Sequence, residues 1–124
     1  MKANESAEMY LETIYLLQKD NDGVKAIDIA NKLKVSKPSV TNAMNRLKND
    51  GYVSKEHYGI IKLTESGLDY ARKIYNRHQL LTDFLVQSLE VDLEVAEKNA
   101  CRLEHVIDQD LLEAIKRYIE REQG

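Results

Sequence analysis

Pro38 is the only proline in this chain of 124 residues, and it stands two positions after Ser36 in the run Lys34-Val35-Ser36-Lys37-Pro38-Ser39. Proline has a fixed φ and no backbone N–H. It breaks a helix from inside but fits the first turn, where the N–H groups have no intrahelical partner. A helix therefore starts at this point, with Ser36 placed to cap it. Val40, Ala43, Met44 and Leu47 follow at helical spacing, and Asp50-Gly51 ends the helix, which spans about Lys37 to Asn49. A short helix precedes it, with Ile27, Ile29, Ala30 and Leu33 as its buried positions. The turn from Leu33 to Ser36 is short enough to hold the two helices at a steep angle.

The flanking segments complete a pattern. From about Ser6 to Lys19 the apolar positions Met9, Tyr10, Thr13, Ile14, Leu16 and Leu17 follow a helical rhythm, ended by the turn Asn21-Asp22-Gly23. Tyr52 to Glu56 and Ile60 to Leu63 read as two strands joined around His57-Tyr58-Gly59. Thr64 caps a long helix to about Ser88, Asp92 opens another to about Ile107, and a last helix covers roughly Asp110 to Arg121. The expected fold is mostly α, with a winged helix-turn-helix over residues 1–64 and an all-helical domain over 65–124.

Helix, short helix, turn, helix and hairpin is an arrangement that puts its third helix into the DNA major groove. The exposed side of that helix offers Ser36, Lys37, Pro38, Ser39, Thr41, Asn42 and Asn45, with Arg46 further along. Short hydroxyl and amide groups suit close approach to bases and phosphates, Asn42 can pair with adenine, and Pro38 can meet a thymine methyl. The hairpin carries Lys55, His57, Tyr58 and Lys62 toward adjacent phosphates. The chain's net charge of -3 hides an asymmetry. Between Lys25 and Lys55 seven basic residues face only Asp28 and Asp50, a net +5 that leaves -8 elsewhere. Attraction to phosphate depends on the local patch, so double-stranded DNA is the expected partner. Against this, winged helices also serve as protein-interaction modules, and polar residues on a helix are usually just solvated.

No run approaches a membrane span and the N-terminus lacks a signal-peptide stretch, so the expected compartment is the cytoplasm, without a membrane partner. One cysteine excludes an internal disulfide. That cysteine lies in Cys101-Arg102-Leu103-Glu104-His105, which sets a thiol, a carboxylate and an imidazole on one face of a helix. Such groups together make plausible ligands for a divalent transition metal. Glu97 extends that face by one turn, and Met9 and Glu12 are three apart on the first helix. Taken singly, Met9 reads as core filler and a helical histidine as a hydrogen-bonded structural residue.

Five segments carry a wider resemblance: Glu8 to Tyr15, Val35 to Thr41, Leu63 to Gly67, Arg77 to Leu81 and Cys101 to His105. Together they resemble the diphtheria toxin repressor and manganese transport regulator family of metal-dependent transcriptional repressors, over nearly the whole chain. The resemblance implies a homodimer on a palindromic operator, with metal bound between the winged helix and the dimerisation helices. In iron-responsive members the primary ligands match Met9, Cys101, Glu104 and His105. A second site matches His78, but its partners there, a Glu and a His, are Thr82 and Glu97 here. In manganese-responsive members the Met position is Asp and the Cys position Glu, while Glu12 matches a ligand. The chain is thus mixed, and it resembles a short form without the family's SH3-like domain.

A thioether and a thiol favour Fe(II), with Mn(II) as the alternative, and Zn(II), Co(II) or Ni(II) can substitute in vitro. The expectation is a metal-dependent repressor of iron or manganese uptake genes, not an enzyme, with no small-molecule substrate and no catalytic residues. A metal-independent regulator that senses a small molecule is the alternative within DNA binding. A small metalloenzyme would need an open coordination position and a general base, and the sequence supplies no nucleophile constellation.

Overall fold

A computed structural model describes residues 5–123, with Glu5 described by its backbone only. Its elements run α1 (Glu5–Gln18), α2 (Ala26–Leu33), α3 (Lys37–Asn49), β1 (Val53–Lys55), a single 3-10 turn (His57–Gly59), β2 (Ile61–Leu63), α4 (Glu65–Leu89), α5 (Leu93–Leu103) and α6 (Gln109–Gln123). The fold is mostly α: a helix-turn-helix and hairpin, then a set of helices. Two compact units part within α4, after Arg72.

In the first unit, α1 buries Tyr10, Leu11 and Ile14. Helical residues advance about 100° each, so a core-facing Leu11 puts Met9 about 160° away around the helix. Met9 is accordingly 39% exposed, which removes the core-filler reading. The same geometry applies on α2. Ile29 is fully buried, and Ile27, two residues before it, is 46% exposed rather than in the core. A capping bond from the Lys25 N–H to Asp28 Oδ2 at 2.9 Å opens α2, and Lys34 closes it in the left-handed region at φ 57°.

The turn into α3 follows the sequence reading. Ser36 Oγ accepts the Ser39 N–H at 3.2 Å, Pro38 sits in the first turn, and Val40, Met44 and Leu47 are buried. β1 and β2 pair antiparallel, with Val53 opposite Leu63 and Lys55 opposite Ile61. Val24 adds one bridge to Ile61, whose N–H donates to the Val24 carbonyl at 2.7 Å. Thr64 caps α4 by accepting the Gly67 N–H at 3.1 Å, and its hydroxyl donates to the Gly51 carbonyl at 2.6 Å. Gly67 is there for lack of space: a Cβ on it would lie 1.9 Å from the Tyr52 carbonyl oxygen.

Glu8 is buried on α1 and accepts the Tyr70 hydroxyl at 2.5 Å. The Tyr70 ring meets Tyr52 edge-on, with centroids 5.3 Å apart. Tyr52 in turn donates its N–H to the Leu47 carbonyl at the end of α3. A polar-aromatic chain thus ties α1 to the start of the hairpin.

The second unit has its own core of Leu81, Ala100, Ile115 and Ile119, against which Leu80, Phe84, Ile107, Leu112 and Tyr118 pack. Phe84 and Tyr118 meet edge-on at 5.5 Å. Asp108, ahead of the expected start of α6, opens that helix by accepting the Leu111 N–H at 2.8 Å. Ile115 is core, whereas Leu93, Val95, Val106 and Leu111 are exposed. α5 stops at Leu103, short of the expected Ile107. The Leu103 carbonyl takes the N–H groups of both Val106 and Ile107, at 3.0 and 2.9 Å, and this closes the helix into a turn. None of the described helices is long and apolar enough to cross a membrane.

Candidate metal centre and nucleic-acid interface

The DNA-facing candidates Ser36, Lys37, Pro38, Ser39, Thr41, Asn42 and Arg46 are all exposed, opposite the buried side of α3. They are not equivalent. The Ser36 and Ser39 hydroxyls lie 2.8 Å apart and bond to one another, so both serve the cap. Ser39, Asn42 and Arg46 border a groove of about 350 Å³ shared with Ser6, Ala7 and Tyr10 of α1. The first turn of α3 carries Lys37 and no acidic residue. The helix dipole adds to that positive end, a setting that attracts phosphate. Lys55 Nζ donates to Asn45 Oδ1 at 3.3 Å, which fastens β1 to α3. Across the hairpin Lys62 pairs with Glu56 at 3.4 Å.

The second unit assembles the other cluster. Glu104 follows the last residue of α5, still in helical geometry, with its N–H on the Ala100 carbonyl at 2.9 Å. Its carboxylate is fully buried and lies 2.9 Å from His78 Nδ1, on α4. Arg77, the neighbour of His78, donates from Nη1 to the Glu104 carbonyl at 2.9 Å. The guanidinium therefore holds the negative end of α5. Cys101 is exposed, and its Sγ is within 4.8 Å of a Glu104 carboxylate oxygen. His105 lies in the closing turn, partly buried.

This donor set fits a divalent cation. Metal–nitrogen and metal–oxygen bonds of about 2.1 Å at a right angle span about 3.0 Å, and the His78–Glu104 separation is 2.9 Å. A buried carboxylate held by an imidazole is also costly to leave empty-handed, so the pair is preformed. The expected second-site partners behave differently. Glu97 is exposed and makes no hydrogen bond or ion pair among the described residues. Thr82 is buried, and its hydroxyl has no hydrogen-bond partner among them. His78, expected apart from the primary ligands, is thus joined to one of them. In the first unit, Glu12 is 7% exposed and Met9 39% exposed.

Residues 2–61 match the family model described as the iron dependent repressor N-terminal DNA binding domain. Residues 64–123 match the iron dependent repressor metal binding and dimerisation domain. The chain belongs to the iron-dependent repressor family.

Three relatives illustrate the membership. An uncharacterised HTH-type transcriptional regulator of Methanocaldococcus jannaschii is 39% identical over 119 residues, 95% of either chain. The iron-dependent repressor IdeR of Mycobacterium tuberculosis is 32% identical over 107 residues, which are 86% of this chain and 46% of its own. A solved structure described as a manganese-dependent transcriptional repressor in complex with manganese matches with a TM-score of 0.84 at 29% identity. That match covers 92% of this chain and 52% of the other. The chain thus spans about half the length of IdeR and of the manganese-dependent repressor.

As a member of the iron-dependent repressor family the chain contains two interactions that the sequence pattern hid. Arg77 and the His78–Glu104 bond join residues 26 and 27 positions apart on different helices. The Arg77-His78 dipeptide was visible, but no spacing rule links it to the end of α5.

Proposed function

We propose that this iron-dependent repressor homologue binds a palindromic DNA operator as a homodimer when loaded with Fe(II), and represses metal-uptake genes. Mn(II) is the second candidate. The observation that carries the reading is the His78–Glu104 pair, with the Cys101 thiol within 4.8 Å of the same carboxylate. His78, Cys101, Glu104 and His105 are the proposed ligands of the second unit, with Met9 and Glu12 from α1, and Glu97 as a peripheral carboxylate. Thioether and thiol favour Fe(II), whereas an all-oxygen and nitrogen set would favour Mn(II). A bound cation supplies concentrated positive charge to these donors.

The chain's own residues do the rest. Arg77 and His78 fix the end of α5, and the Glu8–Tyr70–Tyr52 chain fixes α1 against the hairpin and the end of α3. Metal controls DNA binding to the extent that it binds the DNA-competent arrangement more tightly. Lys37, Pro38, Thr41 and Asn42 are the proposed base- and phosphate-facing residues, with Ser36, Ser39 and Arg46 at their margin. Exposed Leu93, Val95, Val106 and Leu111 support a second copy as partner. The proposed setting is the cytoplasm, and no catalytic role is assigned.

Binding of a duplex selected from a randomised pool, titrated anaerobically with Fe(II), Mn(II) and Zn(II), tests the reading. Half-maximal activation is expected at the lowest free concentration for Fe(II) when Fe(II) and Mn(II) are compared. DNA affinity that survives chelation unchanged would sink it in favour of a metal-independent regulator.

A further inference from the structure

Tyr70, near the start of α4, makes two contacts of different kinds. Its hydroxyl donates to Glu8 Oε2 on α1 at 2.5 Å, and its ring meets Tyr52 edge-on, with centroids 5.3 Å apart. Both ends of that link are set in place. Glu8 is buried, precedes Met9, and lies four residues before the buried Glu12 on the same face of α1. Tyr52 is held through its backbone. Its N–H donates to the Leu47 carbonyl at 2.9 Å, and its own carbonyl accepts the Thr64 N–H at 3.0 Å. Gly67 approaches that same carbonyl so closely that a Cβ would lie 1.9 Å from the oxygen. Leu47 belongs to the end of α3, whereas Thr64 and Gly67 open α4. Tyr70 therefore stands between the helix that carries Met9 and Glu12 and a residue clamped to the end of α3.

α1 also packs directly on α2, α3 and β2, with Leu11 and Ile14 in the core. Apolar packing is non-directional and does not by itself fix how a helix is rolled about its axis. A hydrogen bond does, because it weakens steeply once its angle closes below about 120°. α1 cannot roll without breaking the Glu8–Tyr70 bond or carrying Tyr70 with it. Nor does stability account for a carboxylate and a hydroxyl at this place, since a matched apolar pair serves a buried position as well or better. A cation gathered by Met9 and Glu12 acts on α1 itself, directly beside Glu8. We infer that Tyr70 is a positioning residue that couples metal to DNA: its bond to Glu8 carries the metal-set placement of α1 to Tyr52 and so to the end of α3. This rests on the metal-dependent DNA binding proposed above and names the bond through which it acts.

The test compares variants of the full chain on the duplex that the wild-type protein enriches from a randomised pool at saturating metal. For each, the readout is the ratio of duplex affinity with saturating Fe(II), held anaerobically, to that after chelation. Tyr70→Phe keeps the ring against Tyr52 and removes the hydroxyl. Its ratio is expected to fall about tenfold, while Fe(II) affinity without DNA and duplex affinity without metal stay within about threefold of wild type. A residue that only supported the fold would lower the melting temperature and leave the ratio unchanged. Glu8→Gln retains an oxygen acceptor for the hydroxyl and is expected to keep the ratio within about threefold. Should Tyr70→Phe fail to fold, the double variant Glu8→Gln/Tyr70→Phe, which leaves no carboxylate without its donor, is read in its place with the same expectation. An unchanged ratio on loss of the hydroxyl overturns the inference and leaves metal-dependent DNA binding standing. So does an equal loss in Glu8→Gln, or a fall of more than about tenfold in Fe(II) affinity without DNA, since Tyr70 would then shape the metal site rather than couple it. Wild-type duplex affinity that ignores chelation removes the proposed function, and the inference with it.

Discussion

His78 Nδ1 lies 2.9 Å from Glu104 Oε1, and this bond joins the middle of α4 to the residue that ends α5. It unites two groups that the family resemblance assigns to different metal sites. The carboxylate is fully buried, so its charge is answered inside the protein rather than by water.

Replacing Glu104 with Gln tests that union, because the amide keeps the shape and loses the charge. Metal affinity should fall by about a hundredfold or more, while stability without metal changes by less than about 1.5 kcal/mol. Anaerobic metal titration and a chelator-treated thermal melt give the two numbers. Undiminished affinity would place the cation elsewhere.

Met9→Asp is expected to fold as wild type to within about 0.5 kcal/mol, because Met9 is 39% exposed. Exchanging thioether for carboxylate should move the preference from Fe(II) toward Mn(II). The ratio of the two half-activation concentrations in an operator-binding assay reads it, and an unchanged ratio would mean that Met9 sets no preference.

Ser36→Ala removes the acceptor of the Ser39 N–H. A loss of about 1 kcal/mol is expected from denaturant unfolding, with the unfolding slope unchanged. A neutral result would show that water caps this helix equally well.

Gly67→Ala should cost about 3 kcal/mol or more, since the new Cβ would lie 1.9 Å from the Tyr52 carbonyl oxygen and the atom in its way is backbone. The strain falls at the junction of hairpin and α4, so proteolysis between Tyr52 and Thr64 should accelerate along with the lower melting point.

Much of this could be read from the chain, and the exceptions have physical causes. Both ends of α3 were legible because Ser36, Pro38 and Asp50-Gly51 act through local backbone chemistry. α1 was legible as a helix, but its apolar residues cover most of its circumference. Only packing decides that Leu11 faces the core and Met9 does not. The end of α5 was overrun because Glu104-His105-Val106-Ile107 continues a helical pattern. Capture of the Leu103 carbonyl by two N–H groups is a tertiary outcome. The Val24–Ile61 bridge is one residue long and leaves no periodic trace. The candidate ligand cluster was half legible. Cys101 and Glu104 are near one another by helical spacing, whereas His78 reaches Glu104 only through the fold.

The interlocked hydroxyls of Ser36 and Ser39 bear on how such a protein is switched. With its first turn doubly tied and Val40, Met44 and Leu47 anchored beneath, α3 is expected to keep its shape whether or not a ligand is bound. Its amide protons should exchange slowly with solvent in every state. Ordering entropy is then settled at folding and is not charged again on encounter with a duplex. Control by an effector must accordingly work on where this helix is carried, since whether it exists is already decided.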